Sequence, residues 1–198
     1  MLTLHVTAAD AAAVLVDGEH VKALGPYEEL AAAHPDVRER RWPGILTPGL
    51  LNPYGPEILE HTYHPDPREA DTYGTVPIGG ERAREIFRAD PSRLGASARR
   101  GVQRLFAHGT VALAGQLRAR PVLEVAQRSG LVFGARPEGL PGPVSLSPRP
   151  MVLLPGLVVG GAARFAVFDV ADRADLVARG ASTCVATVVG GRLVYRGR

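Results

Sequence analysis

The chain has one cysteine and one tryptophan among its 198 residues, and Lys22 is its one lysine. With Cys184 alone, an internal disulfide framework and a four-cysteine zinc site are excluded. No run approaches the roughly 20 apolar residues of a membrane span. Residues 2–16 are fairly apolar, but His5 and Asp10 interrupt them and no basic stretch precedes them, which is unlike a signal peptide. A soluble, cytoplasmic protein is the expectation. Because lysine is so scarce, arginine carries the positive charge, with 23 basic against 20 acidic residues and a formal net charge of +3. The isoelectric point near 9.4 reflects guanidinium groups that stay protonated far above neutral pH, so it does not imply a nucleic-acid partner. What is present is ordinary globular material, 45% apolar and 22% charged. It is enough for a hydrophobic core in one domain or two small ones.

Hydrophobic patterning predicts strands at 2–7, 11–18 and 20–25, with Asp17-Gly18 as a hairpin turn. A short helix opens at Pro26 and ends before Pro35. Residues 37–42 (VRERRW) alternate as an edge strand with its arginines in water. The apolar run 45–52 (ILTPGLLN) is broken by Pro48-Gly49, and a long polar connection over 53–91 holds one short helix near 80–88. Asp90 and Pro91 mark the start of a helix whose apolar stripe is Leu94, Ala98, Val102, Leu105 and Phe106, with Gly109 as its stop. Strand 110–115, helix 119–129 and strand 131–135 follow, an order that implies parallel pairing. After the Pro/Gly/Ser-rich residues 136–150, the pattern returns to a strand (163–170), a short helix (172–180) and a hairpin turning at Gly190-Gly191.

Three stretches in this order resemble the amidohydrolase superfamily, with imidazolonepropionase and aminodeoxyfutalosine deaminase as the nearest likenesses. They are VLVDGEHVKALGPYEELAAAHPDVRERRWPGILTPGLLN, DPSRLGASARRGVQRLFAHGTVAL and ARFAVFDVADRADLVARGASTCVATVVGGRLVYRGR. The resemblance implies a mixed α/β fold. Residues 1–44 and 151–198 would form a composite β-sandwich from both chain ends, and 45–135 a partial (β/α) barrel of about three parallel strands, joined by a linker at 136–150. It also implies heterocyclic C–N substrates.

Two departures bear on the chemistry. In the family a His-x-His pair that binds the catalytic metal follows the Pro-Gly-Leu-x-Asn stretch. Here Tyr54 and Pro56 stand at those positions. Neutral tyrosine is a poor divalent-metal ligand and proline has no side-chain ligand atom. Residues 45–150 are also far short of the roughly 250 of a full barrel, so the later strands, with the family's remaining metal ligands, are missing. Without a metal to activate water, hydrolysis by the family's route loses its nucleophile. A three-stranded parallel sheet leaves two open edges and an uncovered face, which predicts a homodimer.

The one local histidine cluster is His61-Thr62-Tyr63-His64. On a helix the two imidazoles would share a face and, with Glu57, Glu60 or Asp66, could bind zinc or serve as acid and base; a solvated polar loop is the plainer reading. His61, His64 and Asp66 are the catalytic candidates, and Asn52, Tyr54, Glu57, His61 and His64 the ligand-binding ones. Arg93, Arg100 and Arg104 share a helix face, either a phosphate or nucleic-acid stripe or simply a solvated surface. Two functions follow. One is a degenerate, non-catalytic relative without cofactor that binds a small heterocyclic ligand or a partner enzyme, with neither membrane nor nucleic acid involved. The other is an active C–N hydrolase using His61, His64 and carboxylates, with zinc and a second subunit completing the site.

Overall fold

In the computed structural model, which describes residues 2–9, 12–139 and 143–197, the two chain ends form facing sheets. The amino-terminal end supplies β1 (Leu2–Thr7), β2 (Ala12–Asp17), β3 (His20–Pro26), α1 (Tyr27–Ala33) and β4 (Arg38–Trp42). The middle contains β5 (Ile45–Pro48), β6 (Leu50–Asn52), α2 (Gly55–Leu59), α3 (Ala70–Tyr73), α4 (Gly80–Ala89), α5 (Arg93–Phe106), β7 (Thr110–Ala114), α6 (Arg120–Arg128), β8 (Val132–Gly134) and β9 (Val152–Leu153). The carboxyl-terminal end supplies β10 (Arg164–Phe168), α7 (Arg173–Arg179), β11 (Cys184–Val189) and β12 (Arg192–Arg196). The described residues form a mixed α/β fold with three four-stranded sheets, ordered β3-β2-β1-β4, β12-β11-β10-β5 and β8-β7-β6-β9, and no closed barrel.

The first two sheets pack face to face. Val14, Val16 and Val21 of the first meet Ala163, Phe165 and Val188 of the second, all buried, and each large apolar side chain so buried contributes about 1.5–3 kcal/mol. The outer face of the first sheet, with Leu4 and Leu15, is covered by Tyr27, Leu30 and Ala31 of α1. The arginine-rich β4 is an edge strand, as its alternation predicts, and runs parallel to β1. Gly190 and Gly191, with φ of 54° and 69°, make the tight turn between β11 and β12 that side chains would resist.

The run at 45–52 divides between two sheets. Ile45–Pro48 pairs antiparallel with β10, whereas Leu50–Asn52 pairs parallel with β7. Parallel pairing continues from β7 to β8, and α5 and α6 cover one face of this third sheet through Val102, Leu105, Val122 and Val125. Of the two edges expected to be open, that of β6 is taken by β9, which arrives antiparallel from beyond the linker. Part of the 136–150 linker, residues 140–142, lies outside the described residues.

Two local expectations are corrected. Asp90 does not cap α5, which begins after Ser92; it ends α4, and its carboxylate accepts from the Ser92 backbone N–H at 3.1 Å, setting up the turn into the helix. The connection over 53–91 is also more ordered than one short helix. Besides α4 it holds α2, α3 and a 3-10 turn at Pro67–Glu69, capped by Asp66.

Candidate functional site

The carboxyl ends of β6 and β7, where α/β folds bind ligands, open onto a cleft of about 610 Å³ whose lining includes Glu57, Glu60, His61, Arg118 and Arg136. Its walls come from the turn into α2, the β7–α6 loop and the chain after β8. Pro56 near the start of α2 suits a helix first turn, since it has no N–H to leave unpaired.

Most polar groups at this end are already engaged. Asn52 is fully buried; its Nδ2 donates to the Ser145 carbonyl at 2.9 Å, and its Oδ1 accepts from the Tyr54 N–H at 2.9 Å. It pins the linker against β6. Tyr54 is half-buried with the Arg136 guanidinium over its ring at 5.7 Å. Glu57 Oε1 accepts from Arg136 Nη2 at 2.6 Å, while Arg136 Nε donates to the Pro53 carbonyl at 2.7 Å. Glu60 Oε1 accepts from the backbone N–H groups of Arg118 and Ala119, at 2.6 and 2.7 Å, just ahead of α6. A carboxylate is favoured there because those N–H groups carry the positive end of the helix dipole.

His61 is exposed and lines the cleft. His64 is 1% exposed and lies elsewhere, under α5. Residues 61–64 are not helical: Tyr63 forms a β-bridge with Ile78, its N–H and C=O both bonded to that residue. The two imidazoles therefore do not share a face. His64 Nε2 meets the Ile58 carbonyl at 2.9 Å, its backbone N–H donates to Ser97 Oγ at 2.9 Å, and its ring packs against Gly101 so closely that a Cβ there would lie 2.8 Å from Nε2. Since a carbonyl only accepts, Nε2 carries a hydrogen. Burial pushes its pKa down to about 4, with the nearby Arg104 and Arg100 guanidiniums adding to the effect. Asp66 caps the 3-10 turn through the Arg68 N–H and meets Arg100 at 3.3 Å, and it does not line the cleft.

Sequence reasoning missed what the arginine face of α5 does. Arg93 donates to Glu69 at 2.6 Å and to Tyr63 Oη at 3.1 Å, and Tyr63 Oη in turn donates to Glu69. Arg100 Nε donates to the His64 carbonyl at 2.7 Å, and Arg104 to the Thr75 carbonyl at 2.7 Å. Besides reaching solvent, the face ties residues 61–75 down onto the helix. Helical spacing gave the face, but nothing local in sequence marks the partners. Cys184, buried in β11, has its thiol pushed up to about 11 by burial, as suits an inert residue.

A catalytic metal of the kind implied by the resemblance does not fit these residues. Tyr54 and Pro56 occupy the two motif positions. Among the described residues no three His, Cys, Asp or Glu side chains gather as a ligand set. No helix among them is long and apolar enough to cross a membrane.

Comparison with known proteins adds a sequence match and several distant structural ones. Residues 12–36, which include β2, β3 and α1, match the family model of the imidazolonepropionase-like composite domain of bacteria. N-isopropylammelide isopropylaminohydrolase from Burkholderia multivorans superposes at 21% identity and a TM-score of 0.44, over 70% of this chain and 38% of that one. Guanine deaminase from Bradyrhizobium japonicum does so at 23% identity and a TM-score of 0.39, over 62% of this chain and 28% of that one. The chain thus spans well under half the length of these structures. No curated protein matches it. Over residues 12–36 the chain is similar to the imidazolonepropionase-like composite domain found in bacteria.

Proposed function

We propose that the chain is a non-catalytic amidohydrolase relative that binds a small polar ligand in the cleft at the carboxyl ends of β6 and β7. The observation that carries this reading is the engagement of the cleft carboxylates. One oxygen of each is held, Glu57 Oε1 by Arg136 and Glu60 Oε1 by two backbone N–H groups, which fixes both carboxylates in the cleft wall, while Glu57 Oε2 has no hydrogen-bond partner. His61 stands without His64 or Asp66. An exposed imidazole and the Arg118 guanidinium suit recognition of ligand carbonyl oxygens. The class of ligand implied by the resemblance is a nitrogen heterocycle. Calorimetric titration with hydantoin, paired with a turnover assay, tests this: saturable one-to-one binding without turnover, weakened at least tenfold in His61→Ala, is expected. Absence of saturable binding, or turnover of the compound, overturns it.

The finer fold reading belongs to the same proposal. β6, β7 and β8 represent the first strands of a (β/α) barrel whose later strands are missing. The composite domain takes in β1–β5 and β10–β12, so its bounds depart from the 1–44 and 151–198 expected from sequence: Ile45–Pro48 pairs with β10, and Val152–Leu153 pairs with β6; residues 136–150 are the join. Parallel register and alternation with α5 and α6 support it. We infer further that two copies associate through the open edge of β8, where Phe133 is 42% exposed. Sedimentation equilibrium at micromolar concentration should give a dimer; a stable monomer overturns that part.

A further inference from the structure

A second cavity, of about 420 Å³, lies between the sandwich and the carboxyl ends of α5 and α6, at the opposite end of the parallel strands from the cleft. Its lining is basic, and strand register is the cause. Arg164 on β10 pairs with Val189 on β11, and Val189 pairs with Arg192 on β12. Residues directly opposite one another on neighbouring strands share a face. Val189 belongs to the cluster containing Phe106, Val125 and Ala126, so this row faces the helices. A strand spacing of about 4.8 Å sets the two arginine backbones roughly 10 Å apart. Arg128, from the last turn of α6, closes a third side, and Gln103 of α5 adds an amide. Glu19, in the β2–β3 turn, is the one carboxylate of the described lining.

These charges are poorly compensated within the chain. Arg128 meets Glu124 at 3.5 Å with its side chain 80% exposed, whereas no ion pair joins Arg164 or Arg192 to a carboxylate among the described residues. Arg164 Nε is buried without a hydrogen-bond partner, a state that is costly for a donor on a charged group. Like charges on one strand row also repel. An oxyanion relieves both, and the planar guanidinium fork matches phosphate and carboxylate geometry.

We propose that this seam cavity is a binding site for a small oligoanion, a phosphate- or polycarboxylate-bearing molecule whose oxygens engage Arg164, Arg192 and Arg128. Glu19 at the margin favours a ligand that presents a hydroxyl or amine on that side and disfavours a continuous nucleic-acid backbone. This site is separate from the cleft and does not rest on the function proposed for it.

Calorimetric titration at low ionic strength, with pyrophosphate in one arm and citrate in the other, tests the proposal. One-to-one saturable binding of either anion is expected, and the tighter arm identifies the phosphate or carboxylate source. Arg164→Gln combined with Arg192→Gln should weaken binding at least tenfold, while Arg84→Gln, on α4 and paired with Glu81, should leave it within twofold. If circular dichroism shows the double variant unfolded, Arg192→Gln alone, at an exposed position, should still weaken binding at least threefold. Three outcomes overturn the proposal: no saturable binding of either anion, equal loss in Arg84→Gln, or binding of random duplex DNA alone.

Discussion

The sandwich and the parallel sheet bury apolar surface in different ways. Between the sandwich sheets, Phe165 and Val167 are fully buried against a complementary face built from the other end of the chain. The parallel sheet has helices on one face. On the other, Leu51, Ala112 and Ala114 meet half-buried Val132, Val152 and Leu154; Phe133 and Leu153, in register with Leu113 and Leu50, lie on the opposite face at the two edge strands and reach solvent at 42% and 37%. Parallel sheets are normally covered on both faces. The sandwich therefore covers its own apolar surface, whereas the parallel sheet has helices on one face and only half-buried side chains on the other.

The largest effect expected is at the sandwich seam. Phe165→Ala should cost about 3–5 kcal/mol in urea denaturation, whereas Phe133→Ala, measured in dilute monomer, should stay within about 0.5 kcal/mol. Equal costs would erase the contrast between the two regions.

Acid should weaken both regions through buried histidines. In the sandwich, His5 Nδ1 accepts from Trp42 Nε1–H at 3.2 Å, and burial, with Arg40 nearby, lowers its pKa to about 3. His64, in the other region, sits at about 4. Both are neutral when folded, whereas an unfolded histidine titrates near 6.5. Between that value and the folded ones the unfolded chain binds more protons. Stability is therefore full above about pH 7 and falls as pH drops below about 6.5, by on the order of 3 kcal/mol for His64 alone. Denaturation curves measured from neutral to acid pH should show this slope, and His64→Gln should make it shallower. A flat profile would place neither imidazole in a dry site.

Smaller effects probe how the 53–79 excursion is held. At Gly101, alanine would gain about 0.5–1 kcal/mol of helix propensity, but its Cβ would lie 2.8 Å from His64 Nε2 and from Leu59 Cδ2. A net loss of about 1–2 kcal/mol is expected. Arg93→Met should leave global stability nearly unchanged and speed proteolytic cleavage between residues 61 and 79, since Arg93 links Tyr63, Glu69 and Asp90. Unchanged cleavage would mean that Tyr63, packed between Tyr73 and Phe87, holds the segment alone.

Local pattern made much of the sandwich legible in the sequence. Alternation marked its strands, and Asp17-Gly18 and Gly190-Gly191 marked its turns. The parallel pairing of β6, β7 and β8 followed from element order. The division at Pro48-Gly49 was hidden because an apolar run does not say which sheet takes each half. The candidate site was less legible. The spacing of His61 and His64 suggests a shared face only if the segment is helical, and the bridge from Tyr63 to Ile78 makes it extended. Gly101 is the physical reason His64 is buried, since the missing side chain leaves room for the ring, and nothing in the local sequence around either residue links them.

The function proposed for the chain is that of a scaffold without the donor set for metal-assisted hydrolysis. It is tested most directly by measuring metal content and hydrolytic turnover on the same protein, purified after growth in zinc- and iron-supplemented medium. Metal far below one ion per chain, with no turnover of heterocyclic amides, is the predicted result. One tightly held ion per chain, lost together with turnover on chelation, would contradict it.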